Sequence, residues 1–499
     1  MIRPYLTRTV AVLLFLLFGL SGGATVELIR DPGWGKGEVV ERYTIGPGMV
    51  YTFYYYKDKP LRLWCVEVDI SNPWVRLEEA ESNDQVPHVA RWTVPQFSRQ
   101  NSRPGHQVKA AVNHDFFSYD DGISIATNVS QGEMTHYLNG RCMLGISKDG
   151  TAGVFKAFDR KTYESRFITA CTAPDGTSVA IESYNSGAIS GMVGDVIMFN
   201  RMNSRTLHDD KGTYIGLQAL DEWLFNGPDI RCKVVGISSH PIATSRGTSV
   251  LFLRNAATDA FKGHLTVGDT MIVAQRIENP FWGEAPKNIY AGFHGYPSLV
   301  HDGKFHDGEY NDFENGREYQ KASRTMVGLS RDKRKVYMVV TEASDASAPV
   351  DCVELACWLV KHGSWDVINL DSGGSSAMVV DHEMKNLPGR PKEGIRAVKT
   401  AMLAVSTAPE DKQVVRIAFN KPQLTIASLK EEALNVMSFN QYDEVLDRRL
   451  DLCEYQVIPT SLGHVDVTGR FHAMEEGTGI IRVKKDGLTA EIKVKVNRP

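Results

Sequence analysis

The sequence predicts an α+β protein in which a large, mostly β domain with a few helices is followed by a C-terminal Ig-like β-sandwich. Runs of β-branched and aromatic residues bounded by Pro, Gly, Asp and Asn recur along the 499 residues, as in strand-rich proteins. Only one segment carries clear helix signals, and alternating apolar and lysine residues fill the end of the chain. A chain of this length is expected to form two or three domains, and its hydrophobic content of 42% suffices for their cores.

The first 24 residues predict an export signal. Arg3 and Arg8 precede a short apolar run at 10–20, and small residues ending at Ala24 offer a cleavage site. The run is too short to cross a bilayer comfortably, and a retained signal anchor is the alternative interpretation. We find no later segment in the sequence that is long and apolar enough to span a membrane. We therefore expect a soluble mature protein that is exported to the periplasm, the cell surface or the medium.

Residues 25–98 are predicted to form a β-rich region that packs on the catalytic domain at 99–408. Its strand-like runs lie at 50–55, 61–70 and 74–77 and are rich in β-branched and aromatic residues. This region is therefore expected to add strands to the catalytic domain.

Inside the catalytic domain, strands at 325–329 and 336–340 flank a charged stretch and predict a β-hairpin. A helix fits residues 353–362, because Asp351 can cap its start and Gly363 can end it. The helix leads the chain into a strongly apolar strand.

A break near 408–412 separates a C-terminal module at 412–499. Its predicted strands lie at 414–419, 424–427 and 455–458, with a final hairpin at 479–483 and 490–496. Asp-Gly between two alternating runs is a strong hairpin signal. The module contains no reactive cluster, so we expect an Ig-like spacer or stabilising unit.

Charge and cysteine content exclude several classes of function. The net charge of −4 and the pI near 6.4 provide no basic field for nucleic acid. The seven cysteines are odd in number and form no CxxC pair, so neither a zinc centre nor a redox centre is predicted. Most of them are expected to be small core residues. No cofactor and no metal ligand is assigned, although a divalent metal is left open.

The most informative segment is 367–376, where an apolar strand ends in Asp371 and enters a glycine–serine turn. Gly373 and Gly374 let the backbone approach a ligand closely. Successive N–H groups beside serine hydroxyls can form a concave site for an anion. A carboxylate held beside such a site suggests chemistry on a phosphorylated or otherwise anionic substrate. The alternative is an ordinary turn, since Asp, Gly and Ser all favour turns.

Three further clusters can join Asp371. They contain Asn113 with His114 and Asp115, Ser323 with Arg324 and Thr325, and His294 in a glycine-punctuated turn. A guanidinium is a planar fork of donors that matches phosphate or carboxylate oxygens. Taken singly, Asp115 can cap a turn, Arg324 can pair with a surface carboxylate, and His294 can be a half-buried histidine whose partners are satisfied.

Taken together, the order and spacing of these segments resemble the phosphodiester glycosidases, the family that includes the mannose 6-phosphate uncovering enzyme. The family pattern has N-x-x-FF, G-E, G-x-P-x-L-V-x-D-G, P-R-T-x-x-G and N-L-D-G-G-G-S elements in that order. This chain matches them at 113–117, 132–133, 295–303, 324–328 and 369–375, so that the resemblance covers residues 100–406.

The chain departs from the family pattern at three places. Ser323 stands where the family usually has proline. Ser372 replaces the first glycine of the triple, which can alter the shape of the anion site. Relatives often carry Asp-Gly after the hairpin, where this chain has Thr341-Glu342-Ala343, so that carboxylate is shifted by one residue or lost.

The resemblance implies hydrolysis of a sugar C1–O bond whose leaving group is the phosphate of a phosphodiester. Protonating such an acidic leaving group matters less than holding its charge and stabilising an oxocarbenium-like transition state. The predicted catalytic residues are Asp371 and Asp115, as nucleophile or base, and Arg324. The predicted substrate and phosphate ligands are Asn113, Asn369, Ser372, Gly373, Gly374, Ser375, Ser376, Thr325 and His294. Retention and inversion stay equally open.

Two other classes of function compete with this hydrolase. A non-catalytic envelope protein would bind anionic glycan through the same turn. A metal-dependent phosphodiesterase would cut a P–O bond with His and Asp ligands, for which His114–Asp115, 301–303 and 306–308 are candidates. No HExxH-like ligand spacing occurs, so we rank this third.

Overall fold

The computed structural model describes residues 31–86, 90–118, 124–136, 142–159, 162–185, 194–203, 211–305, 319–388 and 394–498. Over these residues the protein is mostly β, as predicted, and contains three α-helices. The helices are Val94–Gln100 (α1), Asn255–Phe261 (α2) and Cys352–Lys361 (α3), with 3-10 turns at Ser82–Asp84, Lys262–His264, Gly373–Ser375 and Thr460–Leu462. The predicted export signal at 1–24 lies outside the described residues.

The first sheet has eight antiparallel strands. In spatial order they are Gly37–Gly46, Met49–Tyr56, Leu61–Asp69, Lys335–Thr341, Arg324–Ser330, Ser364–Asn369, Ser298–His301 and Lys304–Phe305. The predicted hairpin is confirmed, since Arg324–Ser330 pairs with Lys335–Thr341. Lys335–Thr341 also pairs with Leu61–Asp69, so the N-terminal strands extend the sheet that carries the hairpin.

Two further sheets complete the central part of the molecule. The second sheet orders Glu383–Met384, Met378–Val380, Gln107–Asn113, Thr400–Ser406 and Val75–Glu81. The third orders Trp282–Gly283, Ala152–Lys156, Cys142–Ser147, Ile289–Gly295, Val129–Ser130 and Glu133–Met134. Val66, Leu77, Val112, Leu144 and Ile368 bring the three sheets into one core.

Helix α3 covers the outer face of the first sheet and directs the chain toward the site. The Asp351 side chain accepts the Glu354 N–H at 2.9 Å, and the Glu354 side chain caps in return, as expected of a strong helix start. Gly363 takes φ +106° directly after the helix, a backbone conformation that favours glycine. Trp358 and Leu359 are buried against the sheet. The chain then enters Ser364–Asn369 and ends just before Asp371.

The sequence interpretation missed an eight-stranded fourth sheet, which is inserted in the chain between Ala152–Lys156 and Trp282–Gly283 of the third sheet. Its spatial order is Ser178–Ala180, Phe167–Thr172, Thr270–Ile277, Ile230–Ser238, Gly212–Ala219, Thr248–Arg254, Val196–Phe199 and Ser183–Tyr184, with a small ribbon of Phe158–Asp159 and Glu164–Ser165 beside it. It has a core of its own around Phe225, Leu251 and Val273.

The C-terminal module consists of three small sheets around a separate core. The first orders Arg416–Phe419, Val436–Phe439 and Val445–Asp447. The second orders Gln423–Ala427, Leu488–Asn497, Gly477–Lys485 and Glu454–Ile458. The third orders Glu431–Ala433, Arg470–Ala473 and Gly463–Val465. The predicted final hairpin is confirmed, and Asp486 and Gly487 take positive φ at its turn. An Ig-like topology stays a prediction.

Candidate active site

Four segments predicted from the sequence meet at one end of the central sheets. The N–H of Asp371 donates to the carbonyl of His114 at 2.8 Å, and that of Leu370 to the carbonyl of Thr325 at 3.0 Å. The N–H of Asn369 donates to the carbonyl of Pro297 at 3.0 Å. The segments around residues 114, 297, 325 and 371 are therefore fastened to one another by their main chains.

Asn113 and Thr325 cross-link these segments. The Asn113 amide nitrogen donates to the carbonyl of Asp371 at 2.5 Å. Its amide oxygen accepts the Thr325 hydroxyl at 2.8 Å and the Ala377 N–H at 3.1 Å. Asn369 is used in the same way, because its amide nitrogen donates to the carbonyl of Tyr296 at 2.8 Å. The three side chains that were predicted to bind substrate are thus committed to holding the site together.

Asp371 is the partly exposed carboxylate of the site. Burial raises the pKa of Asp371 to about 6, although the Ser375 hydroxyl, the Ser372 N–H and the charge of Arg396 each oppose the rise, and the Asp115 charge adds to it. The Ser372 N–H donates to Asp371 Oδ1 at 2.9 Å. A carboxyl group with this pKa changes protonation close to neutral pH, a property that catalytic carboxyl groups share with buried structural ones.

Arg396, which the sequence interpretation missed, supplies the guanidinium beside Asp371. Its Nη1 lies 3.4 Å from the Ser375 hydroxyl oxygen. A Cβ atom built on Gly374 would stand 2.3 Å from Arg396 Nη2, so this glycine is needed for the guanidinium to lie over the turn. Arg396 has no motif around it and lies just ahead of the strand Thr400–Ser406, so only the fold reveals its position.

Arg324, which was predicted to hold the phosphate, is directed elsewhere. Strand alternation places Thr325 on the side of Asn113, whereas Arg324 shares the opposite face of the first sheet with Met326. The Arg324 guanidinium donates to the carbonyls of Val350, at 3.4 Å, and Gln320. Arg324 therefore fixes the loop before its own strand, and the structure brings Arg396 rather than Arg324 to the glycine–serine turn.

The turn itself is partly closed by internal hydrogen bonds. The N–H of Gly373 donates to the carbonyl of Ser323 at 2.9 Å, and that of Ser375 to the carbonyl of Ser372 at 3.5 Å. Two of the three amides that were predicted to cradle an anion are thus already used. Gly373 takes φ +65°, which favours glycine, whereas Ser372 is extended at φ −129°.

The extended backbone explains how serine replaces glycine at position 372. Its hydroxyl donates toward Asn369 Oδ1 at 3.1 Å and accepts the Thr325 N–H at 3.3 Å. Serine at this position therefore adds side-chain hydrogen bonds between the turn and the neighbouring strand. Ser375 and Ser376 are both buried, and it is the Ser375 hydroxyl that lies beside both Asp371 and Arg396.

Asp115 and His294 form a buried pair behind Asp371. Asp115 Oδ1 lies 2.8 Å from His294 Nδ1, and its Oδ2 accepts the Asn128 amide at 3.0 Å. The Asn128 amide oxygen in turn accepts the His294 N–H at 3.0 Å. The Asp115 N–H donates to the Thr400 hydroxyl at 2.9 Å. The sequence named Asp115 and His294 separately, and the structure makes them one hydrogen-bonded unit.

His114 lies next to this pair and is held neutral. Its Nδ1 lies 3.0 Å from the Thr400 hydroxyl, and its ring packs edge-on against Phe293. Burial lowers the pKa of His114 to about 4, despite the opposing charge of Asp115. A neutral, enclosed imidazole contributes shape and polarity here rather than charge.

A second group of buried acids was also missed. Glu81 and Lys399 are fully enclosed, with Lys399 Nζ 3.5 Å from Glu81 Oε2. Burial raises the pKa of Glu81 to about 7, opposed by Lys399 and assisted by Asp115. Glu133, from the predicted G-E element, pairs with Arg201 at 3.2 Å, and burial raises its pKa to about 7. Carboxylates on the inward face of a strand run against the usual hydrophobic pattern, which is the only sequence signal they give.

Glu342 and His301 have partners of their own, whereas His114 and Asp115, the other proposed metal ligands, lie beside Asp371. Glu342 is buried, accepts the Leu387 N–H at 2.7 Å and faces Arg62 at 3.7 Å. His301 pairs with Asp366 at 2.7 Å, and 306–308 lie outside the described residues. Among the described residues, no group of three or more His, Cys, Asp or Glu side chains is arranged to hold a metal ion. None of the helices in the described part of the chain is long and apolar enough to cross a membrane.

Aromatic side chains border the site. The rings of Phe116, next to Asp115, and Tyr296, next to the cis peptide bond before Pro297, have centroids 6.5 Å apart and are both partly exposed. Apolar ring faces beside a few fixed polar groups are typical of pockets for small organic ligands.

The fold and the site define a mostly β protein with a carboxylate, a guanidinium and a serine hydroxyl gathered at one glycine turn. Residues 236–405 match the phosphodiester glycosidase family, which confirms the resemblance drawn from the motifs. The matched segment contains His294, Asp371 and Arg396, whereas Asp115 and Asn128 precede it. None of the curated protein sequences is significantly similar to the chain.

A solved structure shares the fold of this chain at low sequence identity. A hypothetical protein from Synechocystis aligns with a TM-score of 0.51 and 16% identity over 72% of this chain, which spans only 62% of that protein. A putative exported protein from Burkholderia pseudomallei aligns with a TM-score of 0.47 at 17% identity, over 71% of this chain and 74% of that one. The catalytic domain of zebrafish N-acetylglucosamine-1-phosphodiester alpha-N-acetylglucosaminidase aligns with 0.38 at 12%, over 75% and 88%.

Proposed function

We propose that the protein is a hydrolase that removes a sugar from a sugar-1-phosphodiester by cleaving the C1–O bond. The observation that carries the proposal is the placement of Asp371, Ser375 and Arg396 at one turn, within a segment that matches the phosphodiester glycosidases. The Asp371 carboxylate acts on C1 of the sugar. The Arg396 guanidinium and the Ser375 hydroxyl bind the phosphate.

The chemistry follows from the leaving group. A phosphate monoester departs with its electron pair without needing a proton, so the site must hold its charge. Arg396 and Ser375 provide charged and neutral donors for this purpose, and one such well-placed donor can lower a barrier by about 3 kcal/mol. Asp371, ionised above pH 6, stabilises the positive charge that develops at C1 and can attack it as a nucleophile.

The substrate class and cellular location belong to the proposal. The family resemblance makes α-N-acetylglucosamine-1-phosphodiesters the first substrates to test, and bacterial wall polymers and glycans contain linkages of this kind. The N-terminal 24 residues support export to the periplasm, the cell surface or the medium. The unit at 412–499 is proposed to be an Ig-like module that stabilises the hydrolase domain at 99–408, with 25–98 contributing strands to it.

The module contacts the hydrolase part through specific ion pairs. Glu444 lies against Lys109 and accepts the hydroxyl of Ser406, and Arg448 pairs with Asp381. Such contacts support a stabilising role for the module, because they tie it to strands that lead into the site.

The test compares products rather than rates alone. The mature protein is incubated with UDP-N-acetylglucosamine and with a methyl-phosphate diester of N-acetylglucosamine, with and without EDTA. Free sugar from the wild type, and little from Asp371→Asn or Arg396→Ala, is the expected result. Arg324→Lys is the matched control, because it keeps a cation on the opposite face of the sheet. Sugar-1-phosphate would contradict the proposal and favour a phosphodiesterase, and retained glycan affinity without any product would favour a binding protein.

A further inference from the structure

Asp115 is fully occupied and does not serve as a nucleophile. Both of its carboxylate oxygens are engaged, one by His294 and the other by Asn128, and the residue is 1% exposed. A carboxylate whose two oxygens are both held in hydrogen bonds is not free to bond to the C1 carbon of a sugar. Its chemical effect must therefore pass through the imidazole that it holds.

The hydrogen bond to Asp115 fixes the tautomer of His294. An ionised carboxylate can only accept, so Nδ1 must carry the proton, and Nε2 of the neutral ring then carries a lone pair. Nε2 has no hydrogen-bond partner among the described residues and is shielded from solvent. A carboxylate-oriented imidazole with a free Nε2 is the arrangement of a general base.

Asn128 makes the orientation rigid. It donates to Asp115 and accepts the main-chain N–H of His294, so it joins both ends of the pair. A flip of the amide would exchange its oxygen and nitrogen and break both bonds at once. Asn128 and Asp115 are thus positioning residues for His294.

The pair is adjacent to the segment that carries Asp371. The main-chain N–H of Asp371 donates a hydrogen bond to the carbonyl of His114, the residue before Asp115. On the other side, a Cβ on Gly295, the residue after His294, would stand 2.9 Å from the Asn369 carbonyl oxygen. Both members therefore lie one residue from a direct contact with 369–371.

From this geometry, and resting on the proposed function, we propose that His294 is the base that activates water in the second step of a retaining mechanism. In the first step an Asp371 oxygen bonds to C1, the C1–O bond to phosphate breaks, and phosphate leaves with the electron pair. In the second, a water oxygen bonds to C1, the C1–O bond to Asp371 breaks, and the water proton passes to His294 Nε2. Asp115 holds the imidazolium until that proton returns to solvent.

A single base suits this substrate. Most retaining glycosidases need one group that first protonates an alcohol and then deprotonates water. A phosphate monoester leaves without being protonated, so only the deprotonation of water requires a base. A neutral imidazole performs that duty without first having to carry a proton.

The experiment separates the two steps. Release of methyl phosphate and of free sugar from the N-acetylglucosamine diester is followed by rapid quench for the wild type, His294→Ala and His294→Gln. In both variants we expect a burst of methyl phosphate equal to the enzyme, followed by turnover slowed by about 10²- to 10⁴-fold. Azide, a nucleophile that needs no base, is expected to restore turnover and yield a glycosyl azide with the configuration of the substrate.

His301→Gln is the matched control, because His301 pairs with Asp366 in the same way but lies in the first sheet, whereas His294 lies in the third. It is expected to keep wild-type turnover. His294→Gln replaces the imidazole by a polar amide of similar size, so it guards against a variant that merely fails to fold. Slow release of methyl phosphate without a burst or azide rescue, or unchanged turnover, would overturn the role of His294. Wild-type release of sugar-1-phosphate would instead refute the proposed function itself.

Discussion

Gly374 lies directly under the guanidinium of Arg396, so closely that a Cβ atom there would stand 2.3 Å from Nη2. The relationship gives the second glycine of the turn a specific purpose. The glycine does more than allow the chain to turn. The Arg396 guanidinium occupies the space that a side chain at position 374 would take, and it lies there beside Ser375 and Asp371.

Gly374→Ala is expected to displace Arg396 and to lower kcat/KM by on the order of 10²-fold, as loss of one charge-stabilising donor does. The fold should survive, since the displaced group is the end of a flexible side chain. Steady-state kinetics with a glycosyl phosphodiester, together with thermal unfolding, measures both effects. Gly263→Ala is the control, because Gly263 does not have a positive φ and nothing lies within 4 Å of where its Cβ would stand. Full activity in Gly374→Ala would show that Arg396 does not act on the substrate.

The protonation of Asp371 predicts an acid limb in the activity profile. Burial raises its pKa to about 6, so the ionised form is lost as the pH falls through 6. If the carboxylate attacks or stabilises C1, kcat/KM should fall about tenfold for each pH unit below that value. A profile that stays flat down to pH 5 would mean that Asp371 is not needed in its ionised form.

The raised pKa of Asp371 also predicts that its ionised carboxylate destabilises the folded protein. A carboxyl group whose pKa is raised on folding binds more protons in the native state, so stability falls as the pH rises from 4 to 6. The rise from 3.8 to about 6 corresponds to about 3 kcal/mol at neutral pH. Asp371→Asn should therefore unfold at higher temperature than the wild type at pH 7, with the difference vanishing near pH 4. An inactive variant that is less stable at pH 7 would contradict this account.

Glu81 and Lys399 are expected to stabilise the protein only as a pair. Lys399→Met leaves the Glu81 carboxylate buried without its cation and should cost about 3 to 5 kcal/mol in urea unfolding. Combining it with Glu81→Leu removes the stranded charge, so the double variant should recover most of that loss. Additive losses in the double variant would show that the two groups do not interact.

Asn113 should couple stability to activity. Asn113→Ala removes three hydrogen bonds that join Asp371, Thr325 and Ala377, and buried partners would be left unsatisfied. We expect a loss of about 2 to 4 kcal/mol and a matching fall in activity. Asn101→Ala, which removes one bond at the end of α1, is the control and should cost about 1 kcal/mol. Equal effects of the two variants would contradict the cross-linking role of Asn113.

Local signals in the sequence predicted the framework of the site. The capping residues of α3, the hairpin after Arg324 and the turn after Asp371 are all local features, and each was found where it was expected. The convergence of segments near residues 113, 296, 325 and 371 followed from their shared resemblance to one family.

Long-range features could not be predicted in this way. Arg396 carries no motif and reaches the turn only because its segment leads into Thr400–Ser406. The face on which Arg324 lies follows from strand alternation, yet its partners at Val350 and Gln320 depend on how the chain returns. The buried Glu81 contradicts the usual pattern, and its partner Lys399 is over 300 residues away in sequence.

Hydrolysis in ¹⁸O-labelled water distinguishes cleavage of the C1–O bond from cleavage of the P–O bond. The glycosyl phosphodiester is incubated with the wild type, and the products are analysed by mass spectrometry. We expect ¹⁸O in the free sugar and an unlabelled phosphate monoester. Label in the phosphate, with unlabelled sugar oxygen, would place the cleavage at the P–O bond and contradict the assignment of a glycosidase.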